Sequence, residues 1–254
     1  MKSGITIYQP SGKAAEYSRW ACNLYNGCSN QCDYCYNRRG IPSKLLGKSE
    51  VTTKRGLPED ELFEIFKSEL DRWRELIIKD GGIHFNFVSD PCLTETYILN
   101  LRCIKYAIEQ CVPVQMLTKM HDFIWRREWR ALFSSKFFDE RRSLIKFGFT
   151  LTGMDEMEPG ASNTMERLYT MRRLHDRGYQ TWASIEPVIE ISKSYALIKD
   201  AWDICDEFRI GLLSGKKEYS KQEVKDFVEM VFLLNIGNKK TIVFKESVLD
   251  FIRE

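Results

Sequence analysis

Apolar residues recur along this chain with two alternating kinds of spacing. In residues 58–79 the large apolar side chains fall three or four positions apart with charged residues between them, which is the spacing of an amphipathic helix. The apolar run 83–88 follows two glycines and has the length and composition of a buried strand. The same change of spacing repeats down the chain, so the pattern predicts strands that alternate with helices.

The predicted elements fall into regular strand and helix units. Strands are expected at 19–25, 83–88, 112–117, 144–151, 180–185, 208–213 and 241–244, and helices at 58–79, 94–110, 123–138, 163–178, 194–202 and 221–234. Helical segments between successive strands imply right-handed crossovers and a parallel sheet. A complete eight-unit barrel usually needs about 250 residues without long loops. The pattern therefore favours an α/β fold of the partial (β/α)6 TIM-barrel type, with parallel strands and outer helices.

Length and composition fit a single globular unit. The chain has 254 residues, of which 43% are hydrophobic and 29% charged, and its net charge is +2. We expect one domain over residues 1–254, with a core at about 19–215 and a C-terminal helix and strand in 216–254. No apolar stretch is long enough to span a membrane and the N-terminus lacks the apolar core of a secretory signal, so a cytoplasmic protein is expected.

Three of the eight cysteines lie in one short loop. Cys28, Cys32 and Cys35 form a C-x3-C-x2-C pattern, with Tyr34 before the last cysteine. A cubane iron–sulfur cluster normally takes four thiolates, so three ligands would leave one iron open. Zinc sites usually have two C-x2-C pairs or well-spaced histidines, and neither is present here. Zinc, unliganded structural cysteines and a closed redox centre with Cys22 as fourth ligand remain as alternatives.

This cysteine pattern, with its aromatic residue, resembles the signature of the radical S-adenosylmethionine (SAM) superfamily. The resemblance implies a [4Fe-4S] cluster on Cys28, Cys32 and Cys35 whose open iron chelates SAM. It also implies reductive cleavage of SAM to methionine and a 5′-deoxyadenosyl radical, with flavodoxin or ferredoxin as electron donor. In the pattern of the family, Tyr34 would shield the cluster and pack near the adenine.

Polar residues at the predicted strand ends resemble those of the spore photoproduct lyase branch of that superfamily. Ser89 and Asp90 follow the second strand, where the branch has residues that face the methionine part of SAM. The carboxylate of Asp90 would pair with the ammonium group, and Lys119, after the third strand, would bind the SAM carboxylate. The remaining candidates for contacts with ribose, carboxylate or adenine are Thr150, Thr152, Ser184, Glu186 and Leu213.

The substrate is less closely defined by the sequence. In the lyase a cysteine directly before the Ser-Asp pair returns a hydrogen atom, whereas residues 86–88 of this chain contain no cysteine. Cys92 and Tyr97 are the candidate hydrogen donors, and Tyr36 is a further one. The expected function is hydrogen abstraction by a radical SAM enzyme from a small molecule or peptide. A DNA or RNA lyase and a non-catalytic metal-binding or electron-transfer module are the alternatives.

One segment of arginines and tryptophans bears on the nucleic-acid alternative. Arginines with interleaved aromatic residues, as in 125–130, can bind phosphates and stack on bases. Trp125 and Trp129 are four positions apart, so we expect them to share one buried face of the helix 123–138 while the arginines are solvated. This structural interpretation is favoured over nucleic-acid binding.

Overall fold

The computed structural model describes residues 2–39, 43–215 and 218–253. The strands in these ranges are β1 (Ile7–Tyr8), β2 (Ala21–Cys22), β3 (Tyr25–Asn26), β4 (Thr52–Thr53), β5 (Ile83–Phe85), β6 (Val114–Thr118), β7 (Ile145–Thr150), β8 (Gln180–Val188), β9 (Glu207–Leu212) and β10 (Thr241–Phe244). The α-helices are α1 (Ser43–Leu46), α2 (Glu59–Lys79), α3 (Tyr97–Glu109), α4 (Arg127–Phe133), α5 (Lys136–Asp139), α6 (Thr164–His175), α7 (Ile191–Asp200), α8 (Lys221–Asn235) and α9 (Glu246–Arg253).

Eight of these strands form one open, curved sheet. Their spatial order is β1-β2-β5-β6-β7-β8-β9-β10, with β1 antiparallel to β2 and every later neighbour parallel. The strands β3 and β4 pair separately. Parallel neighbours connected through helices confirm the predicted α/β fold of the partial-barrel type.

The register of the central strands sets which residues meet at the end of the barrel. Thr118 at the end of β6 pairs with Phe149 in β7, and Thr150 pairs with Ser184 in β8. In barrels of this kind ligands bind at the C-terminal ends of the strands. The residues that follow these positions therefore lie side by side at the functional end.

The helices cover the outside of the sheet with the faces that their apolar spacing predicts. In α2 the buried residues are Leu62, Phe66, Leu70, Trp73 and Ile77, as the spacing indicates. The start of α6 is also confirmed, because Asn163 and Glu166 each accept a hydrogen bond from the backbone N–H of the other. Within the described ranges, no helix combines the length and apolar character needed to cross a bilayer.

The structure corrects the prediction for residues 19–25. Only Ala21–Cys22 join the barrel sheet, whereas Tyr25–Asn26 pair with Thr52–Thr53 in the separate two-stranded sheet. The buried residues 20–25 therefore contribute to two different sheets. Apolar composition alone could not show where one strand ends and the next begins.

The predicted helix 123–138 is also wrong as a single element. The segment forms a 3₁₀ turn at Asp122–Trp125 and then α4 and α5, and Ser135 caps α5 by accepting from the N–H of Phe138. Trp125 is 48% exposed and Trp129 only 1%, so the two tryptophans do not share a buried face. The serines at 134 and 135 favour an interruption because their hydroxyls compete for backbone groups.

The C-terminal end contains one element that the sequence pattern did not predict. After β10 the chain forms α9, which packs against α8 and β9. The residue between β10 and α9, Lys245, is buried, with only 3% of its surface exposed. This lysine bears directly on the site described next.

Candidate active site

A cavity of about 450 Å³ opens at the C-terminal ends of the barrel strands. Small-molecule sites typically enclose about 300–1,000 Å³. Its lining includes the three loop cysteines and every cofactor-binding candidate except Thr152: Cys28, Cys32, Cys35, Tyr34, Ser89, Asp90, Lys119, Thr150, Ser184, Glu186 and Leu213. The fold thus collects at one place residues that are up to 185 positions apart in the sequence.

The cysteine loop is clamped between two other loops. The N–H of Cys28 donates to the carbonyl of Lys48 at 2.9 Å, and the carbonyl of Asn30 accepts from the N–H of Gly160 at 3.0 Å. Gly27 has a φ of +78°, and a Cβ there would lie 2.0 Å from the carbonyl oxygen of Glu50. The loop therefore needs glycine at this position and holds its cysteines by backbone contacts.

The donor chemistry of the loop suits an iron–sulfur cluster. Cys28, Cys32 and Cys35 are free cysteines, the residue type whose thiolates hold iron–sulfur clusters. Among the described residues, no three or more His, Cys, Asp or Glu side chains converge on a point suited to a single metal ion. A cubane cluster takes one thiolate per iron, so its ligands surround a cube instead of converging on one ion.

The carboxylate of Asp90 ties the cysteine loop to the ends of two strands. Its Oδ2 accepts from Asn30 Nδ2 at 3.0 Å and from the N–H of Lys119 at 2.6 Å. Its Oδ1 accepts from Thr118 Oγ1 at 2.6 Å and from the N–H of Cys92 at 2.9 Å. A carboxylate offers about four acceptor positions. The protein itself supplies four donors to Asp90. The predicted pairing of Asp90 with the ammonium group of SAM stays a prediction.

Several polar atoms along the cavity have no partner among the described residues. Ser89 Oγ, Asn30 Oδ1 and Asn86 Oδ1 are buried and unpaired, and all three residues line the cavity. Buried polar atoms are normally hydrogen-bonded. This wall therefore suits a ligand that both donates and accepts hydrogen bonds, as SAM does.

Lys119 is a cation beside the cysteine loop. Its Nζ lies 5.5 Å from the centre of the Tyr34 ring, and no carboxylate of the described residues is within ion-pair distance. Burial lowers its pKa, but the acidic groups of Tyr34, Cys32 and Glu158 outweigh burial and the net shift is upward. Lys119 therefore stays charged and suits an anionic ligand group.

A buried ion pair holds Tyr34 in place. The Tyr34 hydroxyl donates to Oε1 of Glu158, and Oε2 of Glu158 accepts from Arg167. Arg167 also donates to the carbonyls of Thr150 at 2.7 Å and Ser162 at 2.9 Å, and its side chain is fully buried. Sequence reasoning missed Glu158 and Arg167, because only the tertiary fold brings α6 and the loop after β7 to the cysteine loop.

Thr152 belongs to this ion-pair network and does not line the cavity. Its Oγ1 donates to Glu158 at 3.2 Å, and its side chain is fully buried. The structure therefore does not bring Thr152 to a ligand, although it does bring Thr150 there.

The opposite wall of the cavity carries a second polar network. The hydroxyl of Tyr17 lies 2.9 Å from Ser184 Oγ and donates to Oε2 of Glu186, which also accepts from Lys245 Nζ at 2.7 Å. A Cβ at Gly211 would lie 2.7 Å from Oε1 of Glu186, so glycine leaves room for that carboxylate. Tyr17 and Lys245 lie outside the predicted core 19–215, and no local sequence signal marks either one.

Of the three candidate hydrogen donors, the structure brings Tyr36 to the cavity but not Cys92 or Tyr97. Cys92 is completely buried behind Asp90, and Tyr97 packs on the outer side against Arg126 and donates to Glu128 at 3.3 Å. Neither residue lines the cavity, and Cys22 does not line it either. Among the tyrosines, Tyr17, Tyr34 and Tyr36 do line it.

The arginine and tryptophan segment is less available than its sequence indicates. The Arg126 side chain is 14% exposed, and its guanidinium pairs with Asp122 at 2.9 Å and lies 4.4 Å from the centre of the Tyr97 ring. The expectation that all these arginines are solvated is therefore wrong for Arg126. Trp129 is buried as well, so the exposed part of the segment is reduced to Trp125, Arg127 and Arg130 among its arginines and tryptophans.

A buried histidine next to the cavity gives the fold a pH dependence. His84 is fully buried and stacks on Phe87 at 4.2 Å, and neither ring nitrogen has a partner among the described residues. Burial, and then the positive charge of Arg209, lower the pKa of His84 to about 3. The imidazole therefore stays neutral in the folded protein under mildly acidic conditions.

Stability should consequently fall in acid because of His84. The unfolded chain binds a proton at this histidine near pH 6.5, but the folded chain does not until about pH 3. Between pH 7 and pH 5 the wild type should lose about 2 kcal/mol more unfolding free energy than His84→Gln. Urea unfolding at both pH values measures this, and equal losses in the two proteins would contradict the prediction.

The structure is a partial parallel α/β barrel with three cysteines on one loop at the C-terminal ends of its strands. The comparisons with known proteins agree with this fold. No protein-family model matches the chain, and no curated protein matches it significantly. Solved structures do match. The chain aligns with SuiB of Streptococcus suis bound to S-adenosylmethionine, with a TM-score of 0.57 and 12% identity, over 86% of this chain and 48% of SuiB.

A second match is spore photoproduct lyase complexed with dinucleoside spore photoproduct. The TM-score is 0.55 at 17% identity, over 89% of this chain and 64% of the lyase. The chain thus spans about half of SuiB and just under two thirds of the lyase. The predicted fold is therefore shared with SuiB and with spore photoproduct lyase.

Proposed function

We propose that this chain is a radical SAM enzyme. The observation that carries the proposal is the convergence of Cys28, Cys32 and Cys35 with Ser89 and Lys119 on one cavity at the strand ends. The fold that produces this convergence is shared with a protein whose structure contains bound S-adenosylmethionine. We propose further that residues 1–254 form a single domain.

The residues have distinct tasks in this proposal. The three cysteines hold a [4Fe-4S] cluster, Lys119 binds the SAM carboxylate, and Ser89 hydrogen-bonds the methionine part. Asp90 acts by fixing the loop and the end of β6 through its hydrogen bonds. The ribose and adenine contact residues that line the same cavity, namely Thr150, Ser184, Glu186 and Leu213.

The cofactors supply the reactive chemistry and the protein controls its surroundings. When bound and reduced by a flavodoxin or ferredoxin, the cluster and SAM provide a 5′-deoxyadenosyl radical. Tyr34, held by Glu158, covers one side of the cysteine loop, and Phe87 and Leu117 add apolar surface to the cavity. These walls exclude water and place the substrate within reach of the radical.

The cavity favours a small molecule or a peptide as substrate. The Arg126 side chain is paired with Asp122 and Trp129 is buried, which reduces the surface available to a nucleic acid. SuiB has been crystallised with the precursor peptide SuiA. In that structure the alignment with this chain covers 46% of SuiB. The lyase complexes contain a dinucleoside photoproduct. The resemblance to the lyase implies a hydrogen-donor cysteine, but Cys92, the candidate in this chain, is buried and does not line the cavity.

Anaerobic reconstitution tests the proposal directly. The purified chain should bind about four irons with inorganic sulfide. With dithionite and SAM it should release 5′-deoxyadenosine, and omission of dithionite serves as the control. Zinc in place of iron, or a full cluster that never cleaves SAM, would overturn the assignment.

A further inference from the structure

We infer that the substrate carries a phosphate or carboxylate group and that this group binds at the rim of the cavity between Lys13 and Arg39. The inference rests on the proposed function and names the substrate class of the same site. It follows from the charges that line the cavity and from the way two of them are positioned.

The cavity carries a marked excess of positive charge. Its charged lining consists of six cations and two carboxylates: Lys13, Arg38, Arg39, Lys48, Lys119 and Lys245, against Asp90 and Glu186. For the whole chain the net charge is only +2, so the excess is local. A cleft lined by one sign of charge concentrates ligands of the opposite sign.

The two carboxylates offset only part of this excess. Asp90 is taken up by four hydrogen-bond donors of the protein. Glu186 pairs with Lys245 at 2.7 Å, and Glu16 lies 3.9 Å from the same lysine. Arg38 has Asp33 at 3.5 Å. The cations without a carboxylate partner among the described residues are therefore Lys13, Arg39, Lys48 and Lys119.

Two of these cations are brought together by one serine. Lys13 Nζ donates to Ser214 Oγ at 2.7 Å, and the Arg39 guanidinium donates to the carbonyl of Ser214 at 3.0 Å. Lys13 lies near the N-terminus, Arg39 follows the cysteine loop, and Ser214 follows β9. Three distant segments thus place two positive charges beside the same residue, Ser214, which favours an anion there.

SAM does not account for this pair of cations. In the proposed function its carboxylate binds Lys119 on the wall of the cysteine loop. SAM carries a single carboxylate, so it has no second anionic group for Lys13 and Arg39. Lys13 and Arg39 are left for the substrate, and a guanidinium presents a planar fork that matches phosphate and carboxylate oxygens.

Anion binding to the reconstituted protein with SAM present tests the inference. Pyrophosphate and citrate serve as probes, and isothermal titration calorimetry gives their dissociation constants. The double variant Lys13→Gln/Arg39→Gln should weaken the better probe about tenfold or more, because two charge-assisted hydrogen bonds are lost. The matched control Lys225→Gln/Arg172→Gln removes two exposed charges far from the cavity and should bind as the wild type does.

Each outcome has a defined meaning. Tighter binding of pyrophosphate identifies a phosphate, and tighter binding of citrate identifies a carboxylate. If neither probe binds the wild type, or if both double variants lose affinity equally, the inference is overturned. The same wild-type preparation is assayed for 5′-deoxyadenosine. If SAM is cleaved but the anionic probes do not depend on Lys13 and Arg39 for binding, only this inference is refuted. If SAM is not cleaved, the proposed function is refuted, and with it the substrate role of the anion.

Discussion

Cys32→Ala should lose the visible absorbance of the cluster and all cleavage of SAM. Cys32 is the middle cysteine of the loop and lines the cavity with only 6% of its surface exposed. Its loss leaves two thiolates for a cube that the loop holds with three, and none of the remaining five cysteines lines the cavity to replace it. Iron content, absorbance and 5′-deoxyadenosine formation after anaerobic reconstitution measure the effect.

Cys22→Ala is the informative comparison for this variant. Cys22 is buried in β2, outside the cavity lining, so the variant should keep the cluster and the cleavage reaction. SAM should also alter the electron paramagnetic resonance spectrum of the reduced cluster in both this variant and the wild type. Loss of the cluster in Cys22→Ala would instead identify a closed centre with four protein ligands.

Arg167→Ala should produce the largest loss of stability among single changes near the site. The guanidinium is fully buried against Glu158 and donates to two backbone carbonyls. Its removal leaves the buried Glu158 carboxylate without its cation, which typically costs about 3–5 kcal/mol. Urea unfolding of the wild type and the variant at neutral pH gives the difference.

Arg172→Ala provides the matched control on the same helix. Arg172 is exposed on α6 and has no ion pair among the described residues, so the change should stay within about 0.5 kcal/mol. The double variant Glu158→Gln/Arg167→Met should recover part of the loss, since it leaves no buried charge. A loss in Arg167→Ala as small as that of the control would show that the ion pair contributes little.

Periodic features of the fold could be predicted from the sequence. The 21 residues of α2, the start of α6 and the strand β10 match their predictions closely, because apolar spacing and helix starts are local properties. The segment 123–138 could not be predicted in the same way. Its interruption depends on Ser135 and on Trp129 packing against Phe123 and Phe147, which is a tertiary arrangement.

The two walls of the site differed in how far sequence could predict them. The cysteine loop and the residues at the ends of β5 to β9 follow from a local motif and from the rule that ligands bind at strand ends. Tyr17, Glu158 and Lys245 enter the site from segments with no such signal. Tyr17 and Lys245 depend on where the chain before β2 and after β10 packs, and Glu158 depends on how the loop after β7 packs against the cysteine loop. Spacing along the sequence carries no information about either arrangement.

The separate construction of the two sides has a practical consequence for engineering. Asn30, Asp90 and Thr118 form a hydrogen-bonded unit around the cysteine loop, whereas Lys13 and Ser214 contact each other on other segments. Libraries that vary only positions 13 and 214 should therefore yield altered ligand preference without loss of iron. The same degree of variation at positions 30 and 118 should mainly yield proteins that fail to retain it.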